Sequence, residues 1–213
     1  MKQLLLLPFL FLAMTTSAQD DTRARAIVDA LMDKAKAWKS FEAEFTSRLE
    51  SSRDKLDVSQ SGTMQVKGKR FRLVLDKTTV INDGTTLHTY DASTNEVTLS
   101  DPAEMDQELD PSKLFTQYEK GFKTQFVEEK SQGGTTVQTV KLFPLEPAKK
   151  AYHTVVLTVD KAKTEPRTVQ VLYKDGNVVT YTLKKFTADA PLANALFTFD
   201  KGRHPGVEVN DMR

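Results

Sequence analysis

The residues whose chemistry could serve catalysis are few and scattered. The three histidines, His88, His153 and His204, lie far apart, and none belongs to a His-Glu-x-x-His pair. No Gly-x-Ser-x-Gly elbow, phosphate-binding glycine loop or Gly-x-Gly-x-x-Gly turn is present. Isolated histidines on strands read as structural or exposed groups. The chain has no cysteine, so disulfides, thiolate metal sites and thiol nucleophiles are excluded. The acidic run Asp101, Glu104, Asp106, Glu108 and Asp110 has a calcium-like look. An EF-hand loop, however, needs glycine at its sixth position and glutamate at its twelfth. Counting from Asp106 those positions hold Pro111 and Gln117; counting from Asp101 they hold Asp106 and Ser112. The run therefore reads as the solvated face of a lid segment. Carboxylate pairs for sugar hydrolysis are available among 29 acidic residues, but nothing singles out a pair. No enzyme, metal site or cofactor is expected.

Lys67, Lys69, Arg70 and Arg72 crowd around Phe71. They read either as a solvated hairpin tip or as a docking or latch patch, in the second case pairing with the acidic 101–110 stretch. A nucleic-acid role fits poorly, because 30 basic against 29 acidic residues leave a formal charge of only +1 over 213 residues.

The elements that must position these groups start behind an address. Lys2 is the only charge before Asp20; an apolar run covers 4–14, and the small residues Thr15, Thr16, Ser17 and Ala18 follow. A basic start, about 7–15 apolar residues and a small-residue exit describe a secretory signal. Residues 1–18 are expected to be removed between Ala18 and Gln19, leaving 19–213 as one neutral domain. The run is too short for a membrane span of about 20 residues. Without a cysteine after the cleavage site there is no acyl anchor, so a soluble exported protein is expected.

Between residues 22 and 40, Ile27, Ala30, Leu31, Ala35 and Trp38 recur at helical spacing, with Asp20 or Asp21 as candidate cap. The period then changes to two. Phe41, Ala43, Phe45, Ser47 and Leu49 share one face of a half-buried strand, with charged and polar residues on the other. Shorter alternating runs follow at 62–66, 71–75, 79–82, 86–90, 96–99, 122–130, 135–143, 153–159, 168–173 and 178–186, separated by turn signals such as Asp83-Gly84, Gly133-Gly134 and Asp175-Gly176. Phe197 and Phe199 suggest a last short strand. Asp101-Pro102 and Asp110-Pro111 each open a short helix, the second presenting Leu114, Phe115 and Tyr118 on one face. About ten or eleven strands joined by tight turns imply one α+β domain: a strongly curled or closed antiparallel sheet, an N-terminal helix and short helices inserted mid-chain.

Four ordered segments resemble the LolA family of periplasmic outer-membrane lipoprotein carriers. They are Phe41-Glu-Ala-Glu-Phe-Thr-Ser47 after an amphipathic helix; Gly62-Thr-Met-Gln-Val-Lys67 leading to Phe71-Arg-Leu73; Val80-Ile-Asn-Asp-Gly84 with Leu87 and Tyr90-Asp91; and Phe197-Thr-Phe199 followed by Gly206-Val-Glu-Val-Asn-Asp-Met-Arg213. The resemblance implies an incomplete, open antiparallel β-barrel with an α-helical lid over an apolar cavity. It also implies a monomer that takes acylated lipoproteins from an inner-membrane ABC transporter complex and passes them to an outer-membrane acceptor or to the membrane. A carrier of another lipid or lipid-linked product, or an envelope-stress sensor, is the alternative on the same scaffold. Two positions depart from the family pattern. Gly68 stands where an arginine followed by proline often helps hold the lid, with Lys69 or Arg70 as the nearest substitutes, and Leu73 stands at an often aromatic position.

On this reading the cavity is lined by Phe45, Leu49, Met64, Phe71, Leu73, Leu75, Leu87 and Tyr90. The lid carries Ile27, Leu31, Trp38, Leu114, Phe115 and Tyr118. Lys67, Lys69 and Arg70 form the docking or latch patch. The apolar pattern by itself fits a solid core as well as a hollow one; the resemblance implies the hollow.

Overall fold

The computed structural model describes residues 15–105 and 110–213, with side chains from residue 21 onward. The apolar run at 4–14 and the acidic residues Asp106 and Glu108 lie outside the described residues. Helix α1 spans Thr15–Ala37. Twelve strands follow: β1 (Ser40–Ser51), β2 (Leu56–Lys67), β3 (Arg70–Leu75), β4 (Thr78–Asn82), β5 (Leu87–Asp91), β6 (Glu96–Ser100), β7 (Phe122–Gln132), β8 (Thr135–Pro144), β9 (Tyr152–Asp160), β10 (Glu165–Tyr173), β11 (Asn177–Ala188) and β12 (Glu208–Asp211). They form one sheet in the order β12-β6-β5-β4-β3-β2-β1-β11-β10-β9-β8-β7. All neighbours are antiparallel except β12, which runs parallel to β6. β12 and β7 stand at opposite ends of the order, so the barrel is open.

Sequence-local hairpins explain most of this order. The one long-range antiparallel pairing, β1 with β11, joins a β1–β6 half to a β7–β11 half. Curvature has identifiable sources. The register slips once between β1 and β11, at Glu44/Phe45, once between β7 and β8, at Phe126/Glu128, and between β9 and β10 at Pro166/Thr168. Each slip leaves an extra residue on one strand, which bends and twists it locally.

The structure corrects several expectations. The helix begins before Asp20 and Asp21, so neither caps it. Its buried stripe is Ala24, Val28, Leu31, Met32 and Ala35, while Ile27 is half-buried at the edge and Ala30 is exposed. Trp38 lies just past its end. Strand β2 starts six residues earlier than expected, at Leu56, because its first half is exposed and gives no alternation. Phe197 and Phe199 are not on a strand. Phe197 closes a 3-10 turn and is fully buried, and the last strand is Glu208–Asp211 instead. Asp101 and Asp110 do cap short 3-10 turns, accepting from Ala103 N–H and Ser112 N–H. Residues 114–118 continue as turns and not as a helix.

Two positions make the construction testable. Gly62 on β2 lies under the Phe45 ring: a Cβ there would sit 2.7 Å from Phe45 Cζ and 2.7 Å from the Val74 carbonyl oxygen. Gly62→Ala is expected to cost about 1–3 kcal/mol by overpacking, read as a lower urea midpoint. At the β9–β10 turn the buried Asp160 carboxylate accepts N–H groups of Ala162 (3.1 Å) and Lys163 (3.0 Å) and pairs with Arg167 at 2.9 Å. Burial pushes this carboxyl up, but the donors and the guanidinium outweigh it and hold it below its ordinary value. A carboxyl depressed in the folded state stabilises above its unfolded pKa of about 3.9 and loses that contribution as pH falls through the folded value. Urea midpoints should therefore hold steady from neutral pH down to about 5 and fall below about 4. Asp160→Asn should flatten that fall while weakening the protein at neutral pH by about 1–3 kcal/mol.

Candidate functional site

Strand parity assigns each sheet residue to one of two faces. On β1, Phe41, Ala43 and Phe45 face inward and are buried; on β2 their partners Val66, Met64 and Gly62 share that face. Phe71, Leu73 and Leu75 continue it on β3, Val80 on β4 and Leu87 on β5. The other half contributes Leu183 and Tyr181, Val169 and Val171, Val155 and Leu157, and Val140 and Leu142. The result is a continuous apolar inner wall.

Two covers lie on this wall. Helix α1 packs against β7 and β8, burying Ala24, Val28, Leu31, Met32 and Ala35 in the same cluster as the wall. The segment after Pro111 buries Phe115 and Tyr118 in that cluster, with Leu114 half-buried beside them. The covers and the wall meet in an aromatic group: the Trp38 ring lies 6.1 Å from Phe41, 6.0 Å from Phe115 and 4.9 Å from Phe186. Beyond this roof the wall is only half-buried, at Leu49, Leu75, Tyr173, Val179 and Tyr181, and it runs out to exposed Val58 and Leu56 at the end of the β1–β2 hairpin. Burial in this strip pushes the Tyr181 hydroxyl above its ordinary value.

The covers are tied down by polar contacts at their rims. Arg25 donates to the Glu119 carbonyl at 2.9 Å, and Lys36 pairs with the Glu119 carboxylate at 2.8 Å. These bonds join the helix to the inserted segment. Lys34 reaches the Lys163 carbonyl and lies 3.7 Å from Glu165, and Arg23 pairs with Glu129 of β7. Glu119 is held below its ordinary value chiefly by the Lys36 hydrogen bond. Sequence reasoning missed Arg25, Lys36 and Glu119, because nothing local marks a charge pair separated by the whole β1–β6 half.

The expected site residues divide accordingly. Phe45, Met64, Phe71 and Leu87 are buried on the inner wall, Leu73 and Leu75 are half-buried there, and Leu49 lies half-buried in the strip beyond the roof. Tyr90 is a correction: three residues from Leu87 on the same strand, it must face the other way, and it packs outside against His204 at 4.2 Å. Lys67 and Arg70 are a second correction. They do not reach the acidic stretch among the described residues. Lys67 donates to the Leu192 carbonyl (3.0 Å) and Asn194 Oδ1 (3.2 Å), Arg70 donates to the same Asn194 oxygen (3.1 Å), and its guanidinium lies 5.3 Å from the Phe197 ring. They fasten the C-terminal segment to the outer face. Lys69 is exposed in the turn. The contacts that join the helix to the inserted segment are made by Arg25 and Lys36, not by Arg70 or Lys69.

Among the described residues no group of three or more histidines and carboxylates could hold a metal ion, and no helix is long and apolar enough to cross a membrane.

Comparison with known proteins agrees with this architecture. A structure from Thermus thermophilus, described as an uncharacterized conserved protein, superposes with a TM-score of 0.58 at 11% identity, covering 89% of this chain and 99% of that one. LprF from Mycobacterium bovis gives a TM-score of 0.51 at 14% identity, covering 81% of this chain and 95% of that one. MucB gives 0.51 at 14% identity, covering 84% of this chain and 63% of that one. At such identities these likenesses concern the fold. No curated protein matches in sequence. A sequence model described as outer membrane lipoprotein carrier protein LolA matches residues 36–200, running from the end of the helix through the turn that carries Phe197, and the chain therefore belongs to the LolA family.

Proposed function

We propose that this protein is a periplasmic carrier that shelters the acyl chains of lipoproteins against its inner wall and moves them from the inner to the outer membrane. The observation that carries the proposal is the inner wall itself: apolar across both halves of the sheet and roofed by two elements that are not part of it. Each methylene exposed to water costs about 0.8 kcal/mol, so a ~16-carbon chain costs on the order of 10 kcal/mol. A soluble carrier lowers that barrier by offering apolar surface closed to water. In the roofed state Phe115, Tyr118 and the α1 stripe occupy the wall. Cargo exchanges one apolar cover for another, so the wall is never left bare.

Release has to be as accessible as loading. The rim contacts of Arg25, Lys36, Lys34 and Arg23 are largely solvent-exposed ion pairs and hydrogen bonds. Such contacts contribute little net stability; the covers are held chiefly by the burial of Val28, Leu31, Met32, Phe115 and Tyr118, and on this proposal cargo lifts them by taking over that apolar contact with the wall. Ligand then favours whichever lid position it binds better. Residues 1–18 act as the export signal on this proposal. An ABC transporter complex donates cargo, an outer-membrane acceptor or the membrane receives it, and no bond is made or broken.

The deciding experiment is mass spectrometry of what stays bound after gentle purification from native periplasm. Acylated lipoprotein supports the carrier; free lipid alone makes the protein a carrier of another lipid on the same scaffold. In a second measurement, Leu73→Glu places a charge on the half-buried inner wall and should abolish uptake of a fluorescent fatty acid while the far-ultraviolet circular dichroism spectrum is retained. The paired change Arg25→Ala with Lys36→Ala should leave the urea midpoint nearly unchanged but speed uptake of the same probe in stopped flow. Unchanged uptake rates would show that the rim contacts do not govern the lid.

A further inference from the structure

The outer face of the β3–β6 half carries a second, unrelated construction. Arg72 faces outward on β3, in register with Ile81 on β4 and His88 on β5; Tyr90 stands in the neighbouring row. The C-terminal segment crosses back over these strands. It is anchored by the Asn194 contacts, by fully buried Phe197, and by Asn95, whose amide donates to the Pro205 carbonyl at 3.1 Å and accepts from the Tyr90 hydroxyl at 3.1 Å. Between strands and segment lies a cleft of about 590 Å³, within the range of about 300–1,000 Å³ common for small-molecule sites.

One wall of the cleft is aromatic. Phe199 stacks on His204 with ring centroids 4.9 Å apart and an interplanar angle of 7°, and Tyr90 lies 4.2 Å from His204. Ile81 and Leu196 line the same cleft and give it an apolar floor. Its charged lining is nearly all cationic: Arg72, Lys201 and Arg203. The single acid, Asp200, is already engaged, accepting the Gly202 N–H at 2.9 Å and pairing with Arg203 at 3.4 Å.

Arg72 is the singular group. It is half-buried, yet among the described residues it has no hydrogen-bond acceptor and no carboxylate partner. The charged neighbour that acts on it is another cation, Arg203; burial first and that like charge second push its guanidinium below its ordinary value. A half-buried, unpaired guanidinium facing a like charge is unfavourable unless an anion joins it. Two guanidinium groups and an ammonium lining one cleft, Arg72 from the sheet and Lys201 and Arg203 from the returning segment, suit an anion of more than one charge and several acceptor oxygens, and arginine forks match phosphate oxygens in pairs. The cleft is much larger than a bare phosphate, and the remaining space is aromatic and apolar.

We propose that this outer cleft binds a phosphate ester, its phosphoryl oxygens on Arg72 and Arg203 and the organic part of the ester against Tyr90, Phe199, His204 and Ile81. The site lies on the face of the sheet opposite the acyl wall and is independent of the carrier reading. A phosphate ester reaches it either as a free small molecule or as the headgroup of a phospholipid in a membrane surface.

Phenyl phosphate, which carries no acyl chain, is the probe. Calorimetric titration of the full chain should show one site that weakens as salt rises. Inorganic phosphate should bind more weakly, because it leaves the aromatic wall unused. Arg72→Gln should weaken phenyl phosphate by about tenfold or more, the scale of a charge-assisted hydrogen-bond pair. Arg203→Gln, at a side chain that is 84% exposed and so neutral for folding, should weaken it in the same direction. Both variants should take up the fluorescent fatty acid normally, which separates this site from the inner wall. Co-sedimentation with phosphatidylcholine vesicles, with and without phosphatidic acid, assigns the source. Binding that needs phosphatidic acid and Arg72 supports a membrane headgroup, and binding of phenyl phosphate without vesicle binding supports a soluble ester. Phenyl phosphate and vesicles both failing to bind, or binding that Arg72→Gln and Arg203→Gln leave unchanged, would overturn the proposal.

Discussion

A single sheet that curls without closing leaves an apolar inner face with no second sheet to bury it, and the rest of the molecule answers that constraint. In a sandwich the partner sheet does this work; in a closed barrel the far wall does. Here β7 and β12 stand at opposite ends of the strand order and never meet. The inner faces of β1, β2, β3, β8, β9 and β10 must therefore be covered by elements from outside the sheet, and α1 and the segment carrying Phe115 and Tyr118 are those elements. The same hydrophobic term that stabilises the fold thus holds these two covers against the sheet.

The polar contacts have a different part. Arg25, Lys36 and Glu119 position the two covers relative to each other, but they sit at a partly exposed rim, where they orient more than they stabilise. The polar clusters with many donors lie elsewhere: buried Asp160 with Arg167 and the N–H groups of its own turn, and half-buried Asp83 with the N–H groups of Thr85 and Thr86 and with His88. On the outer face, Lys67, Arg70 and Phe197 fix the C-terminal segment firmly, and the cleft beneath it leaves a cation without a partner.

Local signals were legible where one rule dominates. Alternation found β1 because Phe41, Ala43 and Phe45 are buried while Glu44 and Arg48 are exposed. The Asp-Pro pairs marked both 3-10 turns, because Asp at the cap and Pro at the next position satisfy the same backbone constraint wherever they occur. Alternation failed where its premise failed. The first half of β2 is exposed on both faces and leaves no pattern, and Phe197 and Phe199 mimic a strand although Phe197 closes a turn. Tyr90 was legible against its own assignment: period two already separates it from Leu87.

The sequence alone determined the architecture class, the N-terminal helix and the mid-chain segment opened by Asp101-Pro102 and Asp110-Pro111, and the family to which the ordered motifs point, because periodicity, turn chemistry and caps act over a few neighbouring residues. Only the tertiary structure decided which face each cation serves, that Arg25 and Lys36 rather than Arg70 tie the covers together, and that Arg72 meets Arg203 across an outer cleft. Those facts depend on register and on the path of a returning segment, which bring together residues far apart along the chain, and no local rule encodes such distances.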